Sequence, residues 1–373
     1  MADTVIVGGG AIGCATAVYL LRDEPSRDVV VLEPDPTYAK AATPRASGGV
    51  RQLFSCPENI ALSRYTLEVT KTDTWHRNGY LFIASVADTD ALRANFETQL
   101  AMDVRAEWLE PAHLAERFPL LATDDLGAAV LSADDGWLDP HTFLMRLRSE
   151  AESLGARFLR DRAVDFAFKG RLVSEVVLAS GDRLPAEHVV NAAGCWSPEL
   201  AARAGVPIPV EPMRRYEHFV EADGDFGALP FVKDPAGLAL RPEGAGLSVG
   251  LVDFGHPGGF DETIDSSYFD KVVWPALAHR VPALDRARLR STTVGHYDQN
   301  RLDGNAIIGN WPQARENFYL ASGFSGHGLM HAPGVGRALS ELIAYGEFRT
   351  IDLGRLGYGR IVKNQPYAER GIR

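Results

Sequence analysis

The six residues Gly8-Gly-Gly-Ala-Ile-Gly13 constrain this chain more than any other stretch of its 373 residues. They form a GxGxxG pattern that follows a strand-like apolar run, Thr4 to Val7, and opens a helix-like one, Ala11 to Leu21. A second strand candidate, Val29-Val-Val-Leu32, ends in Glu33, twenty residues beyond Gly13. Strand, glycine turn, helix, strand and terminal acid together describe the opening of a dinucleotide fold. Gly8 permits the tight strand-to-helix turn, Gly10 lets backbone approach a pyrophosphate, and Gly13 allows helix to pack on strand. The anionic ligand meets the helix N-terminus at Ala11 and Ile12. Glu33 accepts hydrogen bonds from an adenosine ribose and repels a 2′-phosphate, so the expected ligand is FAD or NAD, not NADP.

At more than twice a typical domain length of about 150 residues, the chain is expected to hold two domains or one large, insertion-rich one. Acidic residues outnumber basic ones by 49 to 38, a net charge of −11, which argues against nucleic acid or an anionic membrane as partner. No apolar run reaches membrane-spanning length, and the start, Met1-Ala-Asp-Thr4, runs straight into the first strand. Cys14, Cys56 and Cys195 are scattered, with neither CxxC nor zinc spacing, so no metal site is expected. These features lead us to expect a cytoplasmic protein.

Two further segments repeat the strand-into-glycine design. Glu187-His-Val-Val-Asn-Ala-Ala-Gly194-Cys-Trp196 is one. The other is Asn317-Phe-Tyr-Leu-Ala-Ser-Gly323-Phe-Ser-Gly326-His-Gly328, after which Leu329 to Tyr345 has helical apolar spacing with Pro333 early in it. Backbone N–H groups at such a helix start suit a group that accumulates negative charge, as a reduced flavin does at its N1/C2 edge. No second GxGxxG occurs. The balance favours FAD over NAD.

These stretches, together with Ala46-Ser-Gly-Gly-Val-Arg51-Gln-Leu-Phe54 and Asp135-Gly-Trp-Leu-Asp139-Pro140, resemble the D-amino-acid oxidase superfamily over residues 4 to about 372. The branch is that of sarcosine oxidases, dimethylglycine dehydrogenases and glycine oxidases. The resemblance implies an α/β protein with a Rossmann-like FAD-binding domain assembled from 1–80, 140–212 and 300–373. A second, α+β substrate domain built on a mainly antiparallel sheet would take 81–139 and 213–299. Strand-like alternation at Tyr216 to Glu221, Gly237 to Arg241 and Gly246 to Gly250 is compatible with that sheet. The resemblance also implies that Thr43, Ser47, Gly48, Gly49 and Val50 contact the pyrophosphate side or the ring, and that the Val164 backbone meets the adenine. It implies cofactor contacts from Ala193, Gly194 and Trp196, and from Gly323, Gly326, His327, Gly328, Leu329 and Met330.

The chemistry so implied is oxidation of a C–N bond. The substrate's α-hydrogen leaves as hydride to flavin N5, the amine becomes an imine, and water hydrolyses it, with hydrogen peroxide as second product where oxygen is the acceptor. The branch points to an amino acid, preferentially a secondary one bearing an N-methyl or N-carboxymethyl group, as in sarcosine or iminodiacetate. Two other readings stay open: a dehydrogenase passing electrons to a quinone or carrier protein, and a flavin-bearing interaction or assembly protein with little turnover. Arg51 is expected to hold the substrate carboxylate and to disfavour the cationic amine. Arg241, a charge inside the apolar run Leu238 to Pro242, is a second candidate. Tyr297 and His327 complete the catalytic set, with His327 on the flavin side, while Arg214 and Arg215 are expected to be structural, as interdomain salt-bridge residues. Gly295 stands where monomeric sarcosine oxidases carry the cysteine bonded to flavin, which implies noncovalent FAD. Met330 and Ser248 stand where those enzymes carry a carboxylate-binding lysine and an oxygen-promoting lysine.

Overall fold

The computed structural model describes residues 2–70, 75–284 and 287–370. The opening strand, Ala2–Val7, is buried at all but one position and Val29–Leu32 at all four. Apolar runs of this kind belong to strands covered on both faces, as in a parallel sheet between helices. Ala2–Val7 indeed pairs in parallel with Val29–Leu32 on one side and Arg183–Asn191 on the other. Arg157–Leu159 and Arg315–Ser322 extend the parallel set at its ends. The antiparallel strands Ala163–Lys169, Leu172–Leu178 and Ile307–Trp311 bring this sheet to eight.

The helices Ala11–Asp23 and Gly328–Tyr345 pack together against this sheet, and their approach is close because of Gly336. A Cβ there would lie 2.6 Å from the Ala15 carbonyl carbon. The late helix begins at Gly328, one residue before the sequence reading places it, so Pro333 falls inside the helix instead of in its first turn. Having no N–H, Pro333 leaves the Leu329 carbonyl without its intrahelical donor.

A second eight-stranded sheet runs in the order Arg288–Asn300, Val210–Glu221, Gly246–Leu251, Leu238–Glu243, Phe231–Lys233, Tyr80–Ser85, Leu126–Ser132, Ala106–Leu109. Phe231–Lys233 runs parallel to Tyr80–Ser85, and the other neighbours are antiparallel. Its period-two pattern separates two faces. Leu81, Ile83, Val220, Val232, Leu240, Leu247 and Val249 join an apolar cluster with Leu114, Val273 and Leu277 of two short helices. Tyr80, Phe231, Lys233, Ala239, Gly250, Glu217 and Arg215 occupy the other face and line a cavity. A small three-stranded sheet, Gly49–Val50, Gly136–Leu138 and Trp75–His76, ties the loop after the second parallel strand to this body.

Candidate active site

Two adjoining cavities share Ala46, Arg215, Tyr297, Gly326 and Leu329 in their walls. The larger, about 570 Å³, opens at the first glycine turn, where Gly8, Gly10, Ala11 and Ile12 line it. Gly8 has φ +102°, and a Cβ there would sit 2.5 Å from the Ala192 carbonyl oxygen, so the turn requires glycine. Gly10 caps Ala11–Asp23 without a side-chain bond, and no acidic residue occupies the first helical turn. The positive end of the helix therefore faces the cavity unneutralised. Thr43 lines the same wall and accepts a hydrogen bond from the Ala11 N–H at 3.4 Å.

Glu33 also lines this cavity, and its carboxylate is fixed from two sides. Oε2 accepts from the Gly9 N–H and Oε1 from the Asp35 N–H, each at 3.0 Å. Burial pushes its pKa above the ordinary glutamate value, while these two amides pull the other way. Val164 lies in the wall beside Asp161 and Arg162, and Ala193, Gly194 and Trp196 form a further stretch. At the opposite end the wall is built from Gly326, Gly328 and Leu329, where the helix Gly328–Tyr345 begins at His327 with neither side-chain cap nor acid in its first turn. The Asp298 carboxylate shapes this turn by accepting from the Gly323 N–H at 2.7 Å and the Phe324 N–H at 3.2 Å. Burial pushes Asp298 up to about 6, against those hydrogen bonds.

The smaller cavity, about 90 Å³, is lined by Ser47, Gly48, Gly49, Arg51, His327 and Met330 on the cofactor side and by the second sheet opposite. At about 10–15 Å³ per water-sized group, it has room for about six to nine non-hydrogen atoms. Arg51 is 3% exposed, with its guanidinium 3.8 Å from the Phe54 ring centroid and 4.8 Å from that of Phe82. It donates to the Leu53 carbonyl, and Nη2 lies 3.2 Å from His327 Nε2. Since a guanidinium only donates, Nε2 is the acceptor. The segment is anchored by Asp135, whose carboxylate accepts from the Gln52 N–H at 2.8 Å and from Gln52 Nε2 at 3.0 Å. Burial pushes Asp135 up to about 6 despite these bonds. Gly48 abuts the other half of that motif, since a Cβ on it would lie 2.1 Å from the Leu138 carbonyl oxygen.

Four of the residues singled out in the sequence lie outside both walls. Gly13 faces the turn, where a Cβ would be 1.9 Å from the Gly8 carbonyl oxygen, and Gly323 packs against Val210 and Asn300. Val50 is fully buried in the small sheet. Arg241, expected to reach substrate, instead donates from Nε to the Ser47 carbonyl at 2.7 Å and pairs with Glu243. It positions the glycine loop from behind. Arg214 pairs with Asp261, but both lie within 213–299, so the pair is not the interdomain one expected. Among the described residues the Arg215 side chain makes no ion pair, and it stands at the junction of the two cavities with its guanidinium 4.7 Å from the Tyr297 ring centroid. Arg45, Asp298, Glu217 and Lys233 are also wall residues that sequence reasoning missed. Gly295 faces Arg45, which fills the space a larger residue would take.

A cavity of about 570 Å³ with an unneutralised helix start, a fixed carboxylate one strand away and a second helix start in its wall fits a dinucleotide carrying a redox ring. The fold and site thus define a flavoprotein of the dinucleotide-binding class. The family described as FAD dependent oxidoreductase matches residues 3–342, and the chain belongs to it. It is an oxidoreductase with FAD as cofactor. It is 33% identical to FAD-dependent oxidoreductase domain-containing protein 1 of Xenopus laevis, over all of this chain and 85% of that protein. It is 28% identical to the mitochondrial sarcosine dehydrogenase of Mus musculus, over 92% of this chain and 40% of that protein. Among solved structures, L-proline dehydrogenase from P. horikoshii superposes with TM-score 0.88 at 24% identity, covering 98% of this chain and 99% of that one. Among the described residues no helix is long and apolar enough to cross a membrane.

Proposed function

We propose that this enzyme oxidises the C–N bond of a small amino acid, with secondary amines of the N-methyl or N-carboxymethyl type preferred. The observation that carries this reading is the buried Arg51 guanidinium in the wall of a cavity of about 90 Å³ that opens onto the cofactor cavity. When bound, FAD supplies the two-electron acceptor that the oxidation requires. Arg51 holds the substrate carboxylate by charge-assisted hydrogen bonds and, through the same positive charge, favours the neutral amine whose lone pair becomes the imine bond. His327 fixes the guanidinium from the side, and Phe54, Tyr80 and Phe231 limit water around it. The substrate would lose two electrons and two protons, the α-carbon giving up its hydrogen together with the electron pair of the C–H bond and the nitrogen giving up one proton. Water then splits the imine into an amine and a carbonyl compound.

The preference for secondary amines draws support from the likeness to sarcosine dehydrogenase. We also propose the domain division given above; sheet membership supports it, because the strands of the antiparallel sheet come from 80–132 and 210–300. The test is anaerobic mixing of holoenzyme with primary, N-methyl and N-carboxymethyl amino acids while flavin absorbance is followed. Bleaching by a secondary amine is expected, and a flavin that no member of the panel reduces would overturn the reading. Oxygen consumption compared with dye reduction then separates oxidase from dehydrogenase.

A further inference from the structure

The wall of the smaller cavity carries more positive charge than one carboxylate needs. Arg51, Arg215 and Lys233 all face it, against Glu217 as the carboxylate between them. The other acids of the wall are committed elsewhere. Asp303 pairs with Arg360 at 2.8 Å, and Glu369 accepts from Ser55, Cys56 and Asn59. Glu217 itself accepts from the Ser248 hydroxyl.

Neither Arg215 nor Lys233 makes a hydrogen bond or ion pair among the described residues, and Arg215 Nε is buried without a partner. A buried donor left without an acceptor is costly, and an arginine in that state at a cavity wall points to a ligand. The sheet explains how both cations reach the same space. Lys233 stands in register with Phe82 on one side and Ala239 on the other, and Ala239 pairs with Gly250. A Cβ on Gly250 would lie 3.1 Å from Glu217 Oε2. The row therefore reads Phe82, Lys233, Ala239, Gly250, Glu217, and at about 4.8 Å per strand the Lys233 and Glu217 backbones stand about 14 Å apart. Between them lie a methyl group and a bare backbone; the Glu217 carboxylate leans over Gly250, so the open part of the roof lies over Ala239 with Lys233 at its edge. Arg215, two residues before Glu217 on the same face, stands at the neighbouring corner beside Tyr297. Arg51 approaches from the cofactor side, with its guanidinium over the Phe82 ring.

We propose that Arg215 and Lys233 form a second anion subsite, so that the amine this enzyme is built for carries two carboxylates, one on Arg51 and the other on the Arg215–Lys233 pair. The inference rests on the amine-oxidising reading and deepens it. A dicarboxylate amine with a single carbon on each side of nitrogen has nine non-hydrogen atoms, at the upper end of what the cavity holds. The mutual repulsion of the cations agrees with this arrangement. Lys233 is held down to about 7, by burial first and then by Arg215 and Arg51, with Glu217 acting in the opposite direction.

The test uses non-oxidisable ethers in which oxygen replaces the amine nitrogen, so that binding is read apart from turnover. Oxydiacetate carries both carboxylates and methoxyacetate one. Calorimetric titration of the holoenzyme is expected to show oxydiacetate binding at least about tenfold more tightly, the difference one charge-assisted contact makes. In Arg215→Gln and in Lys233→Met the ratio of the two affinities should collapse to within about twofold. Arg214→Gln, which disturbs the surface pair with Asp261, should keep the ratio. Equal binding of the two ethers, no binding of either, or a ratio that survives both substitutions would overturn the subsite. Preferential oxydiacetate binding by an enzyme that no amine reduces would leave the subsite standing and remove the reaction instead.

Discussion

Replacing Gly13 with alanine puts a methyl carbon 1.9 Å from the Gly8 carbonyl oxygen and 3.2 Å from Ile6 Cγ2. Ordinary contact begins near 3.4 Å, so turn and helix must separate by about 1.5 Å. Overpacking of a rigid site costs about 1–3 kcal/mol, and contact with the Gly8 backbone on one side and the Ile6 side chain on the other places this one at the upper end. Alanine returns about 1 kcal/mol of helix propensity. The net loss is about 2 kcal/mol, or about 4–8 °C in Tm by the usual scaling for large domains. The same displacement moves the first-turn amides off their anion, and losing one charge-assisted hydrogen bond of about 1.5–3 kcal/mol weakens FAD about 10- to 100-fold. Gly10→Ala is the comparison. Its methyl would meet Thr43 Oγ1 at 3.8 Å, and its backbone, at φ −69° and ψ −173°, suits alanine. Apoprotein carrying Gly10→Ala should melt within about 1 °C of the unmodified chain and yet bind FAD more weakly, because the methyl lies on the path of the pyrophosphate. Calorimetry of the two apoproteins and flavin-fluorescence titration during reconstitution measure both effects. Equal melting temperatures for the two variants, or destabilisation by Gly10→Ala alone, would refute this account of the turn.

Arg51→Ala should raise the apparent dissociation constant of a reducing amine by about 10- to 100-fold, seen in anaerobic titration, with FAD content unchanged; loss of flavin at unchanged amine affinity would reassign the residue to the cofactor. Glu33→Gln should weaken FAD about tenfold in reconstitution titrations, because an ionised acceptor gives way to a neutral one at the ribose. Arg360→Met should lower the melting temperature by about 6–20 °C, since it strands the fully buried Asp303 carboxylate and the Asn305 and Ala306 carbonyls, a loss of about 3–5 kcal/mol. Lys233 holds an anion only as its cation, which is present below its pKa of about 7 and lost above it. With Arg51, Arg215 and Glu217 as the charged groups facing it, oxydiacetate affinity should be flat well below pH 7 and fall by up to about tenfold per unit above it. The ligand's own carboxylates stay ionised throughout, and Lys233→Met should flatten the profile; a flat profile in the unmodified enzyme would contradict the assignment.

The dinucleotide half of the site was legible because its signals are local. Glycine spacing and helix start lie within a few residues of one another, the terminal acid closes the next strand, and the backbone they shape is the backbone that lines the cavity. Arg241 shows where such reasoning stops. It shares the cavity-facing side of its strand with Ala239, so its parity was readable, but two residues along a strand is about 6.7 Å, enough to carry it past the cavity to the Ser47 carbonyl. Lys233 escaped notice, and Arg215 was read as structural, for the complementary reason. Lys233 is placed by a parallel pairing with Phe82, about 150 residues earlier, and nothing local in Phe231-Val-Lys233 announces that register. Arg214 and Arg215 are adjacent and differ only in face: one meets Asp261 and the other the cavity. Period two guarantees that they diverge without saying which goes where.

The walls of the larger cavity are drawn from segments that begin at Val7 and end at Leu329. A chain emerging from the ribosome presents the opening glycine turn long before it presents the turn that completes the other end. The prosthetic group can therefore be fully clasped only after Leu329 has been made. Until then the apolar strands meant to enclose it lack the group they surround, and once it binds the folded form gains stability with the logarithm of the free flavin concentration.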